Sequence, residues 1–232
     1  MGFSGFSPKG IELLKRIARN NTKEWFELHR ETYEREILAP NRAFVEEMGD
    51  HLMALVPTIN AIPKTNGSLF RIYRDTRFGT NKAPIKTTIG IIFWQGSGHR
   101  MHSSSFYLHY TAQELFVAAG IRRFKPPLLR AYRDILQEPR QRRTLFDLLQ
   151  EATAKGYRLP KPRYKRLPAG FERSMELADL ARYDAIYAYT TRPIDALFFS
   201  EAIIDALYHI WEDLLPLQRW CYDLTLHLQE RS

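Results

Sequence analysis

The chain has 232 residues, 44% of them hydrophobic and 13% aromatic, which is enough apolar material for a core and excludes a wholly disordered chain. No run approaches the ~20 apolar residues of a membrane helix, and the opening MGFSGFSPKG has no apolar stretch behind a basic head. The lone cysteine, Cys221, excludes an internal disulfide and any CxxC-type metal or redox site, so the expectation is a cytoplasmic chain with no membrane partner.

The N-terminal third reads as helices, over about 7–56. Ser7-Pro8 is an N-cap followed by proline at the first helical position, and Ile11, Leu14, Ile17 and Ala18 follow at helical spacing. Asn20-Asn21 breaks that helix, and Asn21 with Glu24 resembles a capping box. Trp25, Phe26, His29, Tyr33 and Ile37 form an aromatic stripe on the next helix, and Pro40 opens a third with Phe44, Met48, Leu52 and Leu55. Such stripes read as core.

After a polar connection at 57–68 the period changes. Residues 69–74 read as a short strand, 87–94 as a β-branched central strand, and 106–110 and 114–119 as a hairpin around Thr111-Ala112-Gln113. Helices resume at Pro126-Pro127 and Pro139. Residues 157–170 are irregular, 186–189 make a short strand, and 198–214 and 217–228 are helical about Pro216. The expected fold is α+β in a single domain 1–232, with a small, mostly antiparallel sheet (about 69–119) between N-terminal helices and C-terminal helices 126–229.

The net charge of +8 is unevenly spread. Segments 64–100, 122–143 and 155–173 each carry +6, and 174–232 carries −6. Three basic segments suit an anionic partner, although solvated faces or pairing with the acidic C-terminal helices would also account for many of these charges.

The densest feature is Arg71-Ile-Tyr-Arg74-Asp75-Thr-Arg77-Phe-Gly79-Thr-Asn81-Lys82-Ala-Pro84-Ile-Lys86, with five cations and one carboxylate. On a strand, Arg71 and Tyr73 would share the outer face and Phe70 and Ile72 the helix-facing one. Gly79 and Asn81 permit a sharp turn whose N–H groups converge on an anion. Arg71, Arg74, Arg77, Lys82 and Lys86 are therefore the candidate anion-binding residues, since guanidinium forks and ammonium groups suit phosphate and carboxylate oxygens. Asp75 would hold one arginine in place, or the set would be an Arg–Asp ladder that only locks a loop.

This block, with Asn20-Asn21-Thr-Lys23-Glu24-Trp25-Phe26 before it and Phe106-Tyr107-Leu108-His109 and Lys165-Arg166-Leu167-Pro168-Ala169-Gly170-Phe171 after it, resembles the family called domain of unknown function 2461 over nearly the whole chain. Ile85 stands where that family carries an aromatic residue. The resemblance implies a cytoplasmic single-domain protein and no particular activity.

Other chemistry is sparser. His99-Arg-Met-His102, with His109 nearby, invites a metal, but nothing in the loop supplies a third ligand at fixed spacing, so an ordinary polar loop is the stronger reading. Tyr107 and His109 alternate along a strand and share a face. With Asp75 they are the candidate catalytic residues for proton transfer beside the cationic block. Lys161-Pro-Arg163-Tyr-Lys165-Arg166 interleaves cations with a ring, as a nucleic-acid-binding segment would. No GxxxxGK[ST], GxGxxG or GxSxG occurs, so no cofactor is indicated. The leading expectation is a basic cleft for a small anionic ligand. A nucleic-acid-binding module and an enzyme with proton transfer beside the cations are the alternatives.

Overall fold

The computed structural model describes residues 2–77, 80 and 82–229. The expected turn residues Gly79 and Asn81 lie outside them. Helices α1 (Pro8–Arg19), α2 (Lys23–Leu28), α3 (Arg30–Tyr33) and α4 (Ala39–Leu55) precede the sheet. Its strands are β1 (Ile59–Asn60), β2 (Ile89–Gln95), β3 (Ser105–Tyr110), β4 (Glu114–Ile121) and β5 (Ile186–Pro193). Helices α5 (Pro126–Ile135) and α6 (Pro139–Ala154) separate β4 from β5, and α7 (Ile203–Asp213) and α8 (Leu215–Gln229) end the chain. The strands pair in sequence order as one antiparallel sheet, so the fold is α+β.

Several boundaries differ from the sequence reading for local reasons. Thr22, not Asn21, caps α2, its hydroxyl accepting from the Trp25 N–H at 3.1 Å. The aromatic stripe at 25–37 is not one helix: α2 ends at Leu28, and a π turn at Glu34–Leu38 runs directly into α4, which carries Pro40 at its second position. Phe26, Tyr33 and Ile37 are buried, whereas Trp25 stacks on His29 (centroids 3.8 Å apart) at half-exposure. Residues 69–74 are not a strand. They make isolated bridges, Leu69 to Ile91 and Tyr73 to Ile85, with a bend at Ile72. β1, inside the expected connection, pairs with β2, and residues 68–70 pair with β2 around Leu69 and Ile91. Residues 197–199 form a 3₁₀ turn, so the penultimate helix starts only at Ile203.

The chain divides into two compact units, Met1–Phe93 with Tyr107–Val117 and Thr191–His209, and Trp94–Phe106 with Ala118–Thr190 and Ile210–Ser232. The first has an aromatic centre: Phe6 stacks on Phe198 at 4.5 Å and meets Phe44 at 5.1 Å and Tyr110 at 5.3 Å. In it the β3 side chains alternate, with Leu108 and Tyr110 buried and Tyr107 and His109 half-buried, the period of a strand covered fully on one face only.

The second unit packs Trp211 against Phe106 (5.6 Å) and Tyr132 against Phe124 (4.9 Å). Gly120 adopts φ +125, and a Cβ there would sit 2.3 Å from the Ile186 carbonyl oxygen, so glycine is required where β4 meets β5. Arg142, 5% exposed, donates to the Leu136, Gln137 and Glu176 carbonyls at 2.6, 3.0 and 2.7 Å, closing the C-terminal end of α5.

Candidate functional site

The 71–86 block lies in the first unit, as two short arms joined around Tyr73 and Ile85. The Arg74 N–H donates to the Pro84 carbonyl (2.8 Å) and the Lys86 N–H to the Ile72 carbonyl (2.9 Å). These bonds flank the Tyr73–Ile85 pair, so Ile85's own N–H and C=O point away from the opposite arm. Asn21 fills that edge: its Oδ1 accepts from the Ile85 N–H, and its Nδ2 donates to the Ile85 carbonyl, both at 2.9 Å. The amide of one side chain thereby does what a neighbouring strand would do, and it does so because Thr22 has taken the capping role.

Tyr73 does not face outward with Arg71. Its ring packs edge-on against Phe26 (5.7 Å), and its hydroxyl donates to Glu27 Oε1 at 2.5 Å while accepting from Arg30 Nη2 at 2.8 Å. Arg30 also grips Glu27 through two bonds of 2.7 Å. The Arg30 bonds, then the Tyr73 bond, hold the Glu27 carboxyl down at about 2. The sequence reading missed Glu27 and Arg30, which reach the block from 46 and 43 positions away and carry no local signal.

The five cations are disposed as follows. Arg77 is engaged by Asp75 through Nε (3.0 Å) and Nη2 (2.8 Å), and this pairing holds the Asp75 carboxyl well below its ordinary range. Arg71 is exposed and adds to that depression. The other three donate to uncharged backbone carbonyls: Arg74 Nε to Ala83 (3.1 Å), Lys82 Nζ to Thr76 (2.9 Å) and Lys86 Nζ to Arg71 (2.8 Å). The side chains tie the arms together.

The candidate catalytic residues are less well placed. Asp75 is committed to Arg77. His109 stacks on Phe116 (4.7 Å), and Tyr107 lies 5.6 Å from His109. The expected partners across that face, Arg71 and Tyr73, are replaced by Phe70, which meets Tyr107 edge-on at 6.0 Å above Gly90. Phe70 and Tyr73 thus depart from the expected faces at the bend at Ile72, while Arg71 stays exposed and Ile72 buried.

The second unit holds two further basic features. A groove of about 1180 Å³ runs beside residues 162–183. Its acids Glu176 and Asp179 are already paired with Arg143 and Arg182, while Lys165, Arg166 and Arg173 are exposed along it. The 99–102 loop brings the His99 and His102 rings to 5.1 Å. Among the described residues, no group of three or more His, Cys, Asp or Glu side chains is arranged to hold a metal ion, and no helix is long and apolar enough to cross a membrane.

No curated protein matches the chain. A family model described as "Conserved hypothetical protein (DUF2461)" matches residues 9–220, a span that includes the Asn21 clamp, the cationic arms and the basic groove, so the chain belongs to that family.

Proposed function

We propose that the 71–86 loop recognises a small anionic ligand bearing phosphate or carboxylate, in the cytoplasmic setting that a single buried thiol favours. One observation carries this reading: the heads of Arg74 and Lys82 donate to neutral carbonyls. A carbonyl fixes an ammonium or guanidinium group without cancelling its charge. The loop therefore keeps its field, and part of the ordering cost of binding is met before the ligand arrives. Asp75 acts here as an internal competitor for Arg77. A carboxyl held so far below its ordinary range stays ionised at neutral pH and is a poor proton carrier.

Thermal-shift titration with inorganic phosphate, adenosine monophosphate, glucose phosphate and a short oligonucleotide tests the reading. A bound ligand at 100 times its Kd stabilises by about 2.7 kcal/mol. Arg71→Ala and Lys82→Met should weaken that effect, and Asp75→Asn, which releases Arg77 but keeps an acceptor for its N–H, should strengthen it. Equal stabilisation of all four proteins would overturn the reading.

A second reading, nucleic-acid binding, is favoured by the groove of the second unit, whose two acids are neutralised while three cations face solvent. Replacing Lys165, Arg166 and Arg173 by alanine should then flatten the slope of log K against log salt by about 2 for single strands. An unchanged slope would eliminate it.

A further inference from the structure

The His99–His102 loop belongs to a smaller feature than the basic groove. A cavity of about 240 Å³ is lined by Gln95, Gly96, Ser97, Gly98, His99, His102 and Ser103 on one side, and by Lys125, Leu128 and Tyr222 among others on the second. All of these residues belong to the second unit. None of its described lining residues is a carboxylate. Its titratable groups are His99 and His102 of the loop, Lys125 before the first turn of α5, and Tyr222 of α8. The volume equals that of about eight liquid waters at ~30 Å³ each, enough for a tetrahedral oxyanion with a short carbon body.

The local geometry prepares donors. The Met101 N–H donates to His99 Nδ1 at 3.3 Å, so in the neutral ring the proton sits on Nε2. The His102 N–H donates to the His99 carbonyl at 2.8 Å, and the Ser103 hydroxyl donates to the same carbonyl at 3.3 Å, which folds the loop into a tight turn. Burial, then Lys125, then His99 push the His102 imidazole below its ordinary value. The free cavity thus gathers cation-forming groups that oppose one another. A dianion would reverse the sign of that interaction.

We propose that this cavity binds a compact phosphate dianion, either inorganic phosphate or the head of a small phosphate monoester, between Lys125 and the His99–His102 pair. It is a site distinct from the 71–86 loop and does not depend on that loop binding anything. Binding is coupled to proton uptake. The bound anion raises the His102 pKa, so affinity for the dianion itself climbs as pH falls through the range between the free and bound values, while protonation of free phosphate near neutral pH lowers the dianion available.

Isothermal titration of the full chain with inorganic phosphate and, separately, with glycerol phosphate tests this, alongside the imidazole NMR resonances of His102. Expected are affinity for the dianion, corrected for the phosphate's own protonation, that tightens as pH falls, an upward shift of the His102 midpoint in phosphate, and at least tenfold weaker binding in Lys125→Met and in His102→Gln. Tighter binding of glycerol phosphate identifies a monoester as the ligand, and equal binding identifies the free ion. In an Arg71→Ala background, where the 71–86 loop is weakened, the His102 midpoint should still rise in phosphate and should still fail to rise in Lys125→Met, so failure of this site and failure of the loop are told apart. Phosphate binding unaffected by both cavity variants, or a His102 midpoint that does not move in phosphate, would overturn the proposal.

Discussion

Asn21→Ala should loosen the cationic loop at one identifiable point. The Asn21 amide makes two bonds of 2.9 Å to the N–H and C=O of Ile85, a buried residue in an otherwise polar loop. A net ~1 kcal/mol per bond gives about 2 kcal/mol, and incomplete access of water to the orphaned Ile85 groups would add to that. With a urea slope of ~2 kcal/mol per molar, the midpoint falls by about 1 M. The Ile85 N–H has no other partner across the arms, so its hydrogen exchange should quicken even if the loop opens without global unfolding. Asn20→Ala is the control. Asn20 Nδ2 caps the exposed Arg16 carbonyl at 3.1 Å, and its loss should stay within ~0.5 kcal/mol. A urea midpoint and an Ile85 exchange rate both equal to the parent's would refute the claim that a side chain supplies the missing strand.

Two further outcomes follow from the same contacts. Glu27 has a folded pKa of about 2 against an ordinary 4.5, so its share of stability is present above pH 4.5 and is lost as pH falls from there toward 2. Tyr73→Phe removes one of its two hydrogen-bonding partners and should move the carboxyl midpoint upward in an NMR titration, and an unmoved midpoint would assign the depression to Arg30 alone. Arg142→Met leaves three carbonyls without their donor and should cost about 3 kcal/mol in urea unfolding. Arg142→Lys should recover only part, because an ammonium cannot span three acceptors as a planar fork does; full recovery would mean that charge alone matters there.

Features governed by local periodicity could be read from the residues. The 3.6-residue spacing of Ile11, Leu14 and Ile17 gave α1, and the β-branched run before Trp94 and the alternation in 106–110 gave β2 and β3 to within two residues. Features set by distant partners could not. Nothing near Asn21 announces that its amide is spent on Ile85, 64 positions away. Nothing in 69–74 announces the bend that sends Phe70 to Tyr107 and Tyr73 to Phe26. The apolar–polar alternation there fits a strand, but the segment finds only isolated bridges to pair with, so side-chain contacts set its course. The cations themselves were legible as a cluster, while their acceptors were not, because a backbone carbonyl has no signature in composition.

That last distinction decides what the loop can be. Had each guanidinium and ammonium met a carboxylate, the block would be a closed ladder with little field, and further anions would have to displace a partner already bound. Arg77 is in that condition. For Arg74 and Lys82 the bond to a carbonyl uses one N–H of five and one of three, so donors remain alongside an undiminished charge. A purely architectural role and a binding role then predict different variants to matter. Lys82→Met should lower stability under either role, since the bond to Thr76 is lost. Asp75→Asn should lower stability under both, yet only a binding loop becomes a better anion receptor when its own carboxylate is removed. Opposite signs for stability and affinity in that one variant are what an anion-recognising loop with an internal competitor requires.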